Sequence, residues 1–116
     1  MSMQKTELLR NFLLENLELK SSKPITCKNP LIENSFHFIF DRVGEFFSWD
    51  LLHSALVVYA EDFEGERGIL KEVASSQLSY SGILKTSSLK VMIMADLFHL
   101  PSSSDRGLHV VLIYYR

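Results

Sequence analysis

Cysteine is nearly absent. Cys27 is the single thiol in 116 residues, so no internal disulfide can form. Such a chain fits a reducing compartment, and the expectation is a cytoplasmic protein. The same scarcity removes Cys-x-x-Cys and the Cys/His spacings of structural zinc sites, so Cys27, between Thr26 and Lys28, reads as a half-buried thiol. Long apolar runs are also missing. None approaches the roughly 18 residues that a membrane span needs. Glu, Arg or Asn interrupts each run of the opening MSMQKTELLRNFLLENLELK, which argues against a signal peptide. Nor is one charge sign in excess. A net charge near −2 gives no electrostatic basis for a nucleic-acid or anionic-membrane partner. Tyr114-Tyr115-Arg116 offers an aromatic–basic step without the motif of an RNA-binding sheet around it.

Catalytic signatures are lacking too. No Gly-x-Ser-x-Gly elbow occurs, and Gly82-Ile83-Leu84-Lys85-Thr86 lacks the leading glycine and the Gly-Lys step of a phosphate loop. His37, His53, His99 and His109 form no His-x-x-x-His pair. Asp41 and Glu45 lie one helical turn apart, which is routine on a solvated face. No cofactor, metal or catalytic residue is expected.

What is present suits one globular domain spanning 1–116. Hydrophobic residues make up 47% and charged residues 22%, enough apolar content to argue against disorder. A chain of this length buries roughly two-thirds of its unfolded surface. The charge is unevenly spread. Residues 1–30 hold five Lys or Arg against three acids, and residues 67–116 hold six against three. Residues 31–66 hold Arg42 against eight acids, so an acidic middle could steer a basic partner surface.

The clearest local signal lies at the C-terminal end. Two apolar runs, Val91–Leu100 and Leu108–Tyr115, flank a segment of turn formers containing Pro101 and Gly107, which reads as a β-hairpin. Upstream, Gln4–Leu19 reads as an amphipathic helix carrying Leu8, Leu9, Phe12, Leu13 and Leu17, with Thr6 as an internal cap. Ile25–Cys27 reads as a short edge strand inside a polar connector. Asn29-Pro30 suits a helix start, and Ile32, Phe36, Ile39, Val43 and Phe46 follow at intervals of three or four. That pattern predicts a helix over Leu31–Phe47, against a competing strand at Ser35–Phe40 that alternates at period two. Ser54–Asp62 contains the β-branched ALVVYA and predicts a strand, although Leu52, Leu56 and Tyr59 also fit one helix face. Gly68–Val73 would be its hairpin partner across an acidic turn. Ala74–Ser88, with seven Ser or Thr, reads as a mobile loop or as a short outward strand at Gln77–Ser81.

The predicted fold is therefore α+β: two N-terminal helices packed on an antiparallel sheet of four to five strands ending in the C-terminal hairpin. Alternate residues of the hairpin segregate into two sets. In the first arm Val91, Ile93, Ala95 and Leu97 point one way and Met92, Met94 and Phe98 the other; in the second, Leu108, Val110, Leu112 and Tyr114 point opposite to His109, Val111, Ile113 and Tyr115. Both sets are apolar and two helices cover only one. The leftover face implies another protein chain, and flexible methionines suit such a surface.

The expected function is a non-enzymatic interaction module, a dimer or the small subunit of a complex, of adaptor, chaperone-like or immunity type. Its expected partner-binding residues are Met92, Met94, Val111, Ile113 and Tyr115. A second expected partner-facing element is the acidic turn with Asp62, Glu64 and Glu66, since Gly65 falls too early for a calcium loop. The alternative is a small-ligand or enzyme pocket between helices and sheet, lined by Phe36, Phe40, Trp49, Tyr59 and a histidine. Finally, His99 and His109 would oppose each other if paired hairpin residues sum to 208, and would point to opposite faces if they sum to 207.

Overall fold

The computed structural model describes residues 3–17, 19, 25–28, 35–44, 46–65, 67–88, 90–99 and 106–115. In chain order its elements are α1 (Met3–Asn16), β1 (Ile25–Lys28), β2 (Ser35–Phe40), α2 (Trp49–Glu64), β3 (Ile69–Ser75), β4 (Ser79–Lys85), β5 (Lys90–His99) and β6 (Arg106–Tyr115). The α+β class stands: two helices accompany one antiparallel sheet that ends in the C-terminal hairpin. The sheet has six strands in the order β1-β2-β6-β5-β4-β3. From β3 to β6 it is a meander; the chain segment before α2 supplies β2 beside β6 and β1 at the far edge.

Three local expectations are corrected. The helix predicted over Leu31–Phe47 gives way to β2, with Asn29, Pro30 and Leu31 outside the described residues. Period two wins there because Phe36, Phe38 and Phe40 all point into the core, whereas Phe46, which the helical pattern needs inside, is 81% exposed. The strand predicted at Ser54–Asp62 is instead the body of α2. Its buried residues Leu52, Ala55, Leu56, Tyr59 and Ala60 follow the 3,1,3,1 spacing of a helix stripe. Ser48 caps it, its side chain accepting from the Leu51 N–H at 3.3 Å, and Gly65 closes it at φ 72°, a left-handed angle that suits glycine. Third, Ala74–Ser88 is mostly strand. It supplies the end of β3 and all of β4, and β3 pairs with β4 rather than with Ser54–Asp62. Toward the N-terminus, α1 begins at Met3 and takes in Thr6.

One core fills the space between helices and sheet. Leu9, Leu13 and Leu17 from α1 and the stripe of α2 meet the inner face of the sheet in a single cluster. That inner face is written by the register. Phe36, Phe38 and Phe40 lie opposite Leu112, Val110 and Leu108, which in turn lie opposite Ile93, Ala95 and Leu97. Aromatic edges interlock within it: Phe12 against Tyr59 at 5.7 Å between centroids, and Phe36 against Tyr114 at 5.8 Å. Trp49, at the first turn of α2, fixes the helix to the β3–β4 turn. Its indole N–H donates to the Ser76 carbonyl at 2.9 Å and its ring stacks on Tyr80. Tyr80 is 3% exposed, and burial together with the nearby Glu72 carboxylate pushes its phenol up to about 12. At the outer edge, β3 carries a register shift between Glu72 and Ala74, an irregularity that blunts an otherwise open strand.

Candidate functional site

The helices occupy the inner side of the sheet, so the site of interest is its outer face. Strand alternation puts on that face His37 and Ile39 of β2, His109, Val111, Ile113 and Tyr115 of β6, and Lys90, Met92, Met94 and Asp96 of β5. Ser79, Ser81, Ile83 and Lys85 of β4 complete it. These side chains are half-buried or exposed, although Ser35, opposite Ile113 on the same face, is fully buried; their inner-face neighbours are almost fully buried. Among the described residues, no helix packs over them. The five sequence-expected residues therefore come together as one patch: Met92 lies opposite Ile113, Met94 opposite Val111, and Lys90 opposite Tyr115. Tyr115 is 44% exposed and Met94 37%, with the Lys90 ammonium 5.3 Å from the centre of the Tyr115 ring.

Asp62 does not join this patch. Asp62 lies exposed in the last turn of α2, on the helix side of the molecule, and Glu64 is the final residue of that helix. Glu66 lies outside the described residues. Asp62 and Glu64 thus end a helix rather than form a hairpin turn. Of the residues expected to line a ligand pocket between helices and sheet, Phe36, Phe40 and Tyr59 are core residues packed among their neighbours. A hollow of about 350 Å³ opens elsewhere, beside the outer face, where Ser79, Ser81, Met94, Asp96 and Val111 meet Ala74–Ser76.

The patch has one polar end, which sequence reasoning missed. Paired residues of the hairpin sum to 205, as in Asp96 opposite His109 and His99 opposite Arg106. His99 and His109 therefore do not oppose each other, and His109 finds a different partner. His37 and His109 are diagonal neighbours on β2 and β6, with Nδ1 of His37 2.9 Å from Nε2 of His109 and ring planes within 10°. One imidazole N–H donates to the other ring's lone pair, so the pair is held by a single proton. Asp96 stands beside it in register. The clue lies in the sequence: His37 sits at an outward position of the Ser35–Phe40 alternation, but a helix reading of that segment hides it.

Burial pushes the His109 pKa below its ordinary value, His37 pushes it further down, and Asp96 pulls it back. The sign for stability follows. The unfolded chain binds a proton at His109 near about pH 6.5 that the folded chain declines, so the fold is stabilised above that pH and loses this contribution as pH falls through it. In urea titrations at about pH 7.5 and about pH 5.5, either side of that value, His109→Gln is expected to show a smaller acid-induced loss than the native chain. Equal losses in the two proteins would show that His109 does not carry this pH dependence.

Among the described residues, no group of three or more His, Cys, Asp or Glu is placed to hold a metal ion, and no helix is long and apolar enough to cross a membrane. Comparison with protein-family models, curated proteins and solved structures finds no match to this chain. The outer sheet face is thus read from its own chemistry.

Proposed function

We propose that this chain is a non-catalytic protein–protein interaction subunit of the cytoplasm, and that it assembles through the outer face of its sheet. The observation that supports this reading is the contiguous apolar strip of Val111, Ile113, Met92, Met94 and Ile83, which spans three adjacent strands on the side away from both helices. Covering such a strip with another chain removes apolar area from water at about 25 cal/mol per Å², a gain that solvent exposure forfeits. Methionine adds adaptability, since its unbranched side chain re-packs against a partner at small cost. Asp62, exposed in the last turn of α2, lies on the helix side and forms no part of this surface.

The test is assembly of the intact chain. Met94→Asp and Val111→Asp place a carboxylate in the strip while leaving the inner core untouched. Each is expected to abolish association in light scattering and to prevent co-purification of any bound protein. A cooperative urea transition within about 1 kcal/mol of the native chain would accompany the loss, because the substituted positions are half open to water. If either variant associates as the native chain does, the outer face is not the docking surface.

A further inference from the structure

Resting on that reading, the distribution of charge around the strip names its occupant. The outward residues of β5 read Lys90, Met92, Met94, Asp96: a base, two methionines and an acid. Lys85 lies opposite Lys90 and strengthens the basic end, while Ser79 lies opposite Asp96 and adds no cation to the acidic end. Lys90, Lys85 and Asp96 are all exposed, so these charges remain available to a partner. The pattern is its own complement when reversed. A twofold axis lying between two such faces, across β5 at the level of Ile93, carries each strand end over the other. Isologous pairs of this kind are the commonest way in which one patch meets itself.

We infer that the outer sheet face is covered by a second copy of this chain, packed face to face with β5 antiparallel to its twin, so that Lys90 of each copy meets the partner's Asp96. The same operation sets Met92 over the partner's Met94 and Val111 over the partner's Ile113. It also directs Tyr115 toward the partner's His109, where the phenol hydroxyl finds an imidazole. Sheets packed face to face lie about 10 Å apart with strands rotated by about 30°. Lys90 and Asp96 each lie about 10 Å from the axis along the strand, so that rotation displaces the charged ends by about 5 Å, within the reach of a flexible lysine stem. The arrangement excludes the parallel alternative, which would set lysine against lysine.

The test is a charge-swap series on the purified full chain, read by sedimentation velocity. Lys90→Glu alone sets an acid against the partner's Asp96, and Asp96→Lys alone sets a second lysine against the partner's Lys90. Each single reversal is therefore expected to raise the dimer Kd at least about tenfold. Mixing the two single variants brings acid against lysine again, and a heterodimer is expected to form in preference to either homodimer. The double variant Lys90→Glu/Asp96→Lys is expected to dimerise like the native chain. Both positions are exposed, so all variants fold, which circular dichroism checks. Reversals that leave the Kd unchanged, or a mixture that forms no heterodimer, would overturn the antiparallel arrangement even if the native chain dimerises. A native chain that stays monomeric, yet binds another protein in a manner lost in Met94→Asp, would overturn the second copy as occupant and leave the docking face standing. Dimerisation insensitive to Met94→Asp would overturn both.

Discussion

Ile93→Asp is expected to leave the chain unfolded in dilute buffer, while Met94→Asp, one residue along the same strand, leaves its fold intact. Ile93 is fully buried, lying between Gly82 and Leu112 on the inner face. The substitution removes a buried aliphatic side chain, costing about 2–5 kcal/mol in a core that only partly relaxes. It also buries a carboxylate with no cation opposite it, which costs several kcal/mol more or forces the group to protonate. Small domains are stable by about 5–15 kcal/mol in total, so the sum consumes most or all of it. Met94 is 37% exposed on the other face, and a carboxylate there stays in water. Far-UV circular dichroism and a urea titration of the two variants separate the outcomes. A cooperative transition for Ile93→Asp close to that of the native chain would mean that the inner and outer faces are assigned the wrong way round.

The second large effect is expected at Phe38. This residue is fully buried in the middle of β2, beside Phe40 at 6.3 Å between ring centroids and opposite Val110. Phe38→Ala is expected to destabilise the chain by about 3–5 kcal/mol, the usual cost of losing a core aromatic and leaving its cavity. Phe46→Ala serves as the matched control. At 81% exposed, Phe46 contributes little packing, and its removal is expected to change stability by no more than about 0.5 kcal/mol. The helical pattern over Leu31–Phe47 makes the reverse forecast at Phe46, which it places on the buried stripe. A loss at Phe46 as large as that at Phe38 would restore the helix; urea midpoints at constant slope settle the matter.

That pair of phenylalanines also shows why the middle of the chain misleads. Phe36, Ile39, Val43 and Phe46 satisfy a three-or-four spacing over eleven residues, while Phe36, Phe38 and Phe40 satisfy period two over only five. Favouring the longer pattern is sound when nothing competes for the face. Here β6 offers an unpaired ladder of backbone groups and an inner face of Leu108, Val110 and Leu112, and three aromatic side chains at alternate positions pack against it. α2 is the opposite error. Val57 and Val58 suggest a strand, yet β-branched residues cost a helix only about half a kcal/mol each. The stripe buried against the sheet outweighs that. Ser48 and Gly65 are helix-end signals that also pass for punctuation around a hairpin.

Much of the candidate site was legible. Period two, once the hairpin is accepted, divides Met92 and Met94 from Val91 and Ile93 in one arm, and Val111, Ile113 and Tyr115 from Leu108, Val110 and Leu112 in the other; which sets share a face depends on the register. Register was not legible. A shift of one residue exchanges every partner across the hairpin, and only the sum of 205 brings Asp96 to His109. The His37–His109 contact is more distant still, 72 positions apart along the chain, and exists because β2 inserts beside β6.

The sequence by itself determined the class of fold, the C-terminal hairpin, the division of its side chains into two sets and the apolar character of both. These follow from periodicity and side-chain chemistry, which act over a few residues. Tertiary structure decided that Ser35–Phe40 is a strand and Trp49–Glu64 a helix, which face the helices cover, and which charges and histidines surround the face left open. Those depend on pairings between segments far apart in the chain. There, the area buried against a distant neighbour outweighs local preferences worth a fraction of a kcal/mol per residue.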